Sequence, residues 1–219
     1  MIITIDGPSG AGKSSVAKSI ADKINFEFLD TGAMYRCAAL IAKRNSIDLN
    51  NQSKLVELLA KSKIDFNKSP SGITKVLLDN KDVSDLIRTP DISISASEIA
   101  KIRQVREVLV EKQKEFAKRR NIVVEGRDMG TYVFPNAEYK FYLDASPRIR
   151  AKRRWDEFRE KGMEISFDSI ETELKERDSN DMDRKDSPLH PADNAVIIDT
   201  TDLNLGEVVN KVLKILEES

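Results

Sequence analysis

Residues 2–24 read IITIDGPSGAGKSSVAKSIADKI. The first four are a short β-branched apolar run, the composition of a buried parallel strand. The last nine place Val16, Ile20 and Ile24 on one helical face, with Ala17 and Ala21 beside them. Between the two lies GPSGAGKS, Gly7–Ser14, which fits G-x-x-x-x-G-K-[ST] in the strand-to-helix setting that pattern requires. Its glycines let backbone N–H groups turn inward around phosphate oxygens. The helix that follows directs its positive end at the same anion. Lys13 can reach the β- and γ-phosphates of a nucleoside triphosphate, and Ser14 can ligate Mg²⁺.

The same alternation continues outward. Further buried strands are expected at FEFL (Phe26–Leu29), NIVVEG, YKFYL and AVIID, and helices at AMYRCAALIAKR, SKLVELLAKS, TPDISISASEIAK and IRQVREVLVEKQKEFAKRR. Thr89 can cap the third of these helices, and Pro90 suits its first turn. Between about Ile64 and Arg88 the texture turns β-rich, with GITKVLLDNKDVS carrying a hairpin signal at Asp79-Asn80; this predicts a small β insertion. A long helical stretch, Pro147–Arg184, is broken near Gly162, starts after Ser146 and carries a capping-box pattern at Asp168–Glu171. GEVVNKVLKILEE closes the chain as an amphipathic helix. Short apolar strands alternating with helices give an α/β fold, a five-stranded parallel sheet with helices on both faces. Ligands of such sheets bind beyond the carboxyl ends of the strands.

The 219 residues suit one compact domain. Lys plus Arg number 36 against 37 Asp plus Glu, a net charge of -1, so nothing global draws the chain to nucleic acid or an anionic membrane. Cys37 is the only cysteine and His190 the only histidine, which excludes an intrachain disulfide and a Cys/His zinc site. Cys37 falls in an apolar helical pattern and reads as a small core residue. MIITIDG has neither a basic n-region nor a long apolar h-region, and no stretch has the length of a membrane span; a cytoplasmic protein is expected.

The residues just after each strand complete the picture. After the second come DTGAMYR, Asp30–Arg36, with Thr31 expected to cap a helix and Arg36 one to two turns along it. After the third come EGRDMGT, with Arg127 and Asp128 leaving the strand at the ligand edge. Guanidinium forks there suit phosphate. A GTPase would need Asn-Lys-x-Asp, and NKSP and NKDV both fail at the last position; a motor or helicase is excluded by size. ERDSNDMDR, residues 176–184, would align Arg177, Asp181 and Arg184 on one helical face. That row reads either as a ligand wall or as a ladder of intrahelical ion pairs. The run Arg148–Arg154 is likewise either the start of a lid or a solvated basic face.

Together IDGPSGAGKSS, LDTGAMYR, EGRDMGTYVFP, FYLDAS and ERDSNDMDR, in this order and across the whole chain, resemble bacterial cytidylate kinases. The resemblance implies a P-loop kinase fold with a core (1–30, 101–147 and 185–219), a monophosphate-binding region with the β insertion (about 31–100) and a helical lid (about 148–184). It implies transfer of the γ-phosphoryl of ATP to CMP or dCMP with Mg²⁺ bound at Ser14. ATP would lie on Gly7, Pro8, Ser9, Gly10, Ala11, Gly12, Lys13, Ser14 and Ser15, with Arg153 and Arg154 closing over its phosphates. Thr31, Arg36, Arg127 and Arg184 would hold the acceptor phosphate and nearby groups, with Tyr35 also in the CMP set. Ser97, Arg106 and Asp128 would read cytosine, and Arg177 and Asp181 would meet the ribose. Lys13, Arg127, Asp128 and Arg184 would be the catalytic set. Glu125 stands where many relatives have Asp. The expected partners are these nucleotides alone, with no nucleic acid and no membrane, and the expected state is a monomer. The competing readings are a kinase for UMP or for a hydroxyl metabolite such as shikimate, and a nucleotide-dependent regulatory ATPase.

Overall fold

A computed structural model describes residues 1–49, 51–68, 74–160 and 162–218. It divides the chain into two compact units, one formed by Met1–Phe28 with Arg119–Ser219 and the other by Leu29–Lys118.

The first unit is built on β1 (Ile2–Asp6), α1 (Lys13–Lys23) and β2 (Glu27–Asp30), the last crossing into the second unit. The second unit holds α2 (Thr31–Arg44), α3 (Gln52–Lys61), β3 (Ile64–Lys68), β4 (Thr74–Leu78), β5 (Lys81–Asp82), a 3-10 turn (Leu86–Arg88), α4 (Pro90–Ile99) and α5 (Arg103–Ala117). The chain returns to the first unit with β6 (Ile122–Glu125), a π-helical turn (Met129–Val133) and β7 (Tyr139–Asp144). It ends with α6 (Pro147–Glu160), α7 (Phe167–Met182), β8 (Val196–Asp199) and α8 (Leu205–Glu217). No helix among the described residues is long and apolar enough to cross a membrane.

The sheet is five-stranded and parallel, in the order β2-β6-β1-β7-β8. In its register Ile3 lies opposite Val123 and Tyr139, and Ile5 opposite Glu125 and Phe141. The apolar runs seen in the sequence become its core: Ile3, Ile5, Val123, Phe141 and Leu143 pack with Val16 and Ile20 of α1 and Val208 and Val212 of α8. At about 25 cal/mol per Å² of apolar area removed from water, this cluster is the main stabilising element of the unit. Asn204 and Glu207 cap α8 reciprocally. A smaller cluster of Ala151, Phe158, Ile170 and Leu174 joins α6 to α7, and Gly162 turns between them at φ +71°.

In the second unit β3, β4 and β5 form the small antiparallel sheet expected from the insertion. Asp79 and Asn80, both at positive φ, make its tight turn. Gly72 and Ile73, the start of the β-rich run, lie outside the described residues. Phe66 meets Phe116 edge-on at 5.8 Å, and Lys112 donates to the Ala60 and Ser62 carbonyls at the end of α3. The unit boundary at Lys118 groups α5 with α2 and α3.

Three local expectations shift. Asp30, not Thr31, caps α2, because its extended backbone lets Oδ1 accept the Ala33 N–H at 2.7 Å. Ser166, not Asp168, caps α7, with Oγ accepting from Ser169 N at 3.2 Å. Thr89 stands at the start of α4 as expected, but its side chain makes no capping bond to the backbone.

Candidate active site

The phosphate loop runs from the end of β1 into α1, with Gly7, Gly10 and Gly12 at φ +142°, +79° and +88°. At Gly7 a Cβ would sit 2.0 Å from the Leu143 carbonyl oxygen, so only glycine fits against β7. Lys13 is buried, and its ammonium donates to the Pro8 carbonyl at 2.7 Å. Burial first, then the charge of Arg127, lowers its pKa from 10.5 to about 7. Ser14 Oγ donates to Glu125 Oε1 at 2.8 Å. A hydroxyl and one carboxylate are hard oxygen donors, suited to a Mg²⁺ whose other ligands are phosphate and water. No group of three or more His, Cys, Asp or Glu among the described residues is arranged to hold a metal without such help. The residues present fit a metal brought with a nucleotide.

Around this loop stands an arginine–aspartate network within the same unit. Asp181 on α7 is 3% exposed. Its Oδ2 accepts from Arg127 Nε at 2.8 Å, and its Oδ1 pairs with Arg184. Burial alone would raise the Asp181 pKa, but Arg127 and Arg184 outweigh it and hold it below the usual carboxylate range. Burial likewise works against the Arg127 charge, and Asp181 more than restores it. Arg177 adds to the positive field on Lys13. The expected helical row therefore survives in altered form. α7 ends at Met182, so Arg184 lies past the helix and turns back to Asp181. Both Asp181 oxygens are taken up by arginines.

Asp128 is buried at the start of the π-helical turn. That turn is held by a residue the sequence reading passed over: Asp6 accepts the Met129 and Gly130 N–H groups at 2.9 and 2.8 Å. Desolvation raises the Asp6 carboxyl to about 6 in spite of those two bonds. Its only signal in the sequence is an aspartate at the strand end, next to the loop. Arg153 and Arg154 diverge. Arg153 donates to the Thr200 hydroxyl at 3.0 Å and to the Thr200 carbonyl. Arg154 pairs with Glu157 at 2.7 Å and lies over the Phe158 ring.

In the second unit Thr31, Tyr35 and Arg36 lie on α2, against which α4 packs with Ser97, and Arg106 is buried in the first turn of α5. Arg36 Nη2 donates to Asp30 Oδ2 at 2.9 Å, and Ser97 Oγ to the Ser93 carbonyl at 3.3 Å. Cys37 is fully buried, and burial pushes its thiol up to about 12, as a core residue requires.

The sequence model of the family described as cytidylate kinase matches residues 3–218. The chain belongs to the cytidylate kinase family. The cytidylate kinase of Caldanaerobacter subterraneus subsp. tengcongensis is 45% identical over 217 residues, 99% of this chain and 95% of that protein. Cytidylate kinase 1 of Haemophilus influenzae is 44% identical over 217 residues, 99% of this chain and 94% of that protein. A crystal structure of shikimate kinase from Bacteroides thetaiotaomicron superposes with a TM-score of 0.50 at 14% identity, over 99% of this chain and 98% of that one. At that identity the likeness concerns the fold alone. In this member of the cytidylate kinase family, Asp6 ties the end of β1 to the GRDMGT turn, and Arg127 ties that turn to Asp181 of α7.

Proposed function

We propose that the chain transfers the γ-phosphoryl group of ATP to CMP or dCMP, releasing ADP and CDP or dCDP. The observation that carries the reading is the buried Lys13 of the phosphate loop, in the electrostatic field of Arg127, Arg177 and Asp181, in a chain of the cytidylate kinase family. ATP takes Gly7–Ser15, with Lys13 on its terminal phosphates. Ser14, with Glu125 behind it, would hold Mg²⁺, which would supply charge neutralisation to the donor phosphates. Arg127, Arg184, Thr31 and Arg36 take the acceptor phosphate, with Tyr35 in the same set. Asp128 and Ser97 accept from the cytosine N4 amino group, and Arg106 donates to its O2 and N3. Uracil reverses the N4 and N3 polarity, and unpaired buried polar groups discriminate strongly.

No general base is needed, because the acceptor oxygen is already anionic. Catalysis is alignment and charge neutralisation, with water kept out. Asp181 also acts through its arginines: with its oxygens on Arg127 and Arg184 it holds two cations in register, and together with Arg177 it meets the ribose. Residues 148–184 act as the lid and 31–100 as the monophosphate-binding region, with Arg153 and Arg154 serving the donor side. The protein works as a cytoplasmic monomer.

The test is an ADP-release assay with Mg-ATP and, one at a time, CMP, dCMP, UMP, AMP, GMP and dTMP. Turnover confined to CMP and dCMP is expected. Preferred turnover of UMP would refute the base assignment, and ATP turnover stimulated by nucleic acid without CMP would refute the kinase reading. Sedimentation at rising concentration checks the monomer.

A further inference from the structure

Arg150 belongs to the run Arg148–Arg154, where Arg148 and Lys152 are exposed, yet it is 4% exposed itself. A buried arginine in a charge run needs a reason. Its Nε donates to the Ala145 carbonyl at 2.9 Å. Its Nη1 donates to the Ser9 carbonyl at 3.0 Å and to Asp178 Oδ2 at 2.6 Å. One guanidinium thus ties the end of β7, the phosphate loop and α7 together, all within the first unit. The loop lies directly on it: a Cβ at Gly10 would come 2.9 Å from Arg150 Cβ and 3.0 Å from its carbonyl oxygen.

The Ser9 carbonyl and the Gly10 N–H share one planar trans peptide and point in opposite directions. Fixing the carbonyl on Arg150 therefore fixes the N–H pointing away from α6. Backbone N–H groups are what such a loop offers to phosphate. Asp178 in turn aims the guanidinium, and its second oxygen, Oδ1, is buried with no hydrogen bond among the described residues. Stability alone does not call for this arrangement, since buried ion pairs are often no better than apolar residues of the same volume. The same helix holds Arg127 and Arg184 through Asp181, one turn further on.

We infer that Arg150, aimed by Asp178, is a positioning residue for the donor nucleotide: it presets the Ser9–Gly10 peptide of the phosphate loop before phosphate arrives. The inference rests on the phosphate-loop reading above. It goes beyond that reading in giving a donor-side role to two residues that do not touch the nucleotide.

The test uses the full chain with Arg150→Lys and Asp178→Asn. Lysine keeps the charge but loses the fork, so it cannot hold all three acceptors. Asparagine leaves the arginine in place and weakens its aim. The readouts are ADP affinity by calorimetry without turnover, KM for ATP and for CMP separately, kcat, and the thermal midpoint. Both variants are expected to weaken ADP binding and raise KM for ATP about tenfold, with KM for CMP changed about twofold or less. If Arg150→Lys does not fold, Asp178→Asn alone carries the comparison. Unchanged ADP affinity in a folded variant, or equal rises in both KM values, would leave the pair purely structural and overturn the assignment. A wild-type chain that binds no ADP would overturn the phosphate-loop reading instead, whatever the variants do.

Discussion

Around the phosphate loop, several contacts of the site join residues far apart in the chain. Arg127 meets Asp181 54 residues on, Ser14 meets Glu125 111 residues on, and Asp6 holds Met129 123 residues on. In Leu29–Lys118 two site residues have near partners: Arg36 pairs with Asp30 six residues earlier, and Ser97 donates to Ser93 four residues earlier. The first set exists only once the sheet has formed and brought strand ends together. The second is held by the geometry of single helices and forms with them. Long-range, buried partners leave a costly vacancy when one is removed, whereas helix-local ones lose a few tenths to one kcal/mol. Preorganisation therefore has two sources: the Arg127, Ser14 and Asp6 contacts are set by tertiary structure, those of Arg36 and Ser97 by α2 with its cap and by α4.

The largest effect is expected from Lys13→Ala, which should lower kcat/KM by about 10³-fold or more while the thermal midpoint holds, because it removes a preset cation and its desolvation together. Near-normal turnover would dissolve the donor side of the comparison. Next comes the pair Asp181→Asn and Asp30→Asn, measured by urea unfolding. Asp181→Asn should cost about 3 kcal/mol, since it leaves two arginines poorly compensated in a buried setting. Asp30→Asn should cost about 1 kcal/mol or less, because asparagine still caps α2 and one ion pair is lost instead of two. Equal costs would break the contrast.

Asp128→Asn sharpens it on the substrate side. The ratio of kcat/KM for CMP over UMP should fall by about 10²-fold, with ATP binding retained. A ratio that stays put would remove Asp128 from base reading. The smallest effect concerns Asp6. Burial raises its carboxyl from 3.8 to about 6, so the folded state holds that proton more tightly than the unfolded chain does. The stability it contributes is complete below about pH 4 and is lost as pH rises through 6. Asp6→Asn should remove this slope, a change of about 1–3 kcal/mol between pH 4 and 7 relative to the parent. Parallel unfolding profiles for the two proteins would show that the clamp on Met129 and Gly130 carries no such proton.

Much of the molecule was legible in advance for local reasons. Five apolar runs became five strands, and the loop motif became a loop at positive φ, because strand burial and glycine conformation are decided within a few residues. The β insertion followed from Asp79-Asn80 in the same way. Caps were less secure: Asp30 and Thr31 are both capping residue types, and only the backbone angle at Asp30 decides between them. Charged side chains were the least legible. ERDSNDMDR reads as a continuous helical face, but α7 stops at Met182 and Arg184 reaches Asp181 from beyond it.

By itself, then, the sequence determined the order of strands and helices, the phosphate loop and the kinship with cytidylate kinases, all of which depend on short-range pattern or on ordered motifs. Only the tertiary structure decided which charges are buried. Arg150 and Arg148 are alike in the sequence, and so are Asp178 and Asp183; one of each is in the interior because the end of β7, the phosphate loop and α7 converge there. A charge is taken out of water only where the fold supplies its counter-charge and its hydrogen bonds at once, and those partners come from segments as far as 141 residues apart.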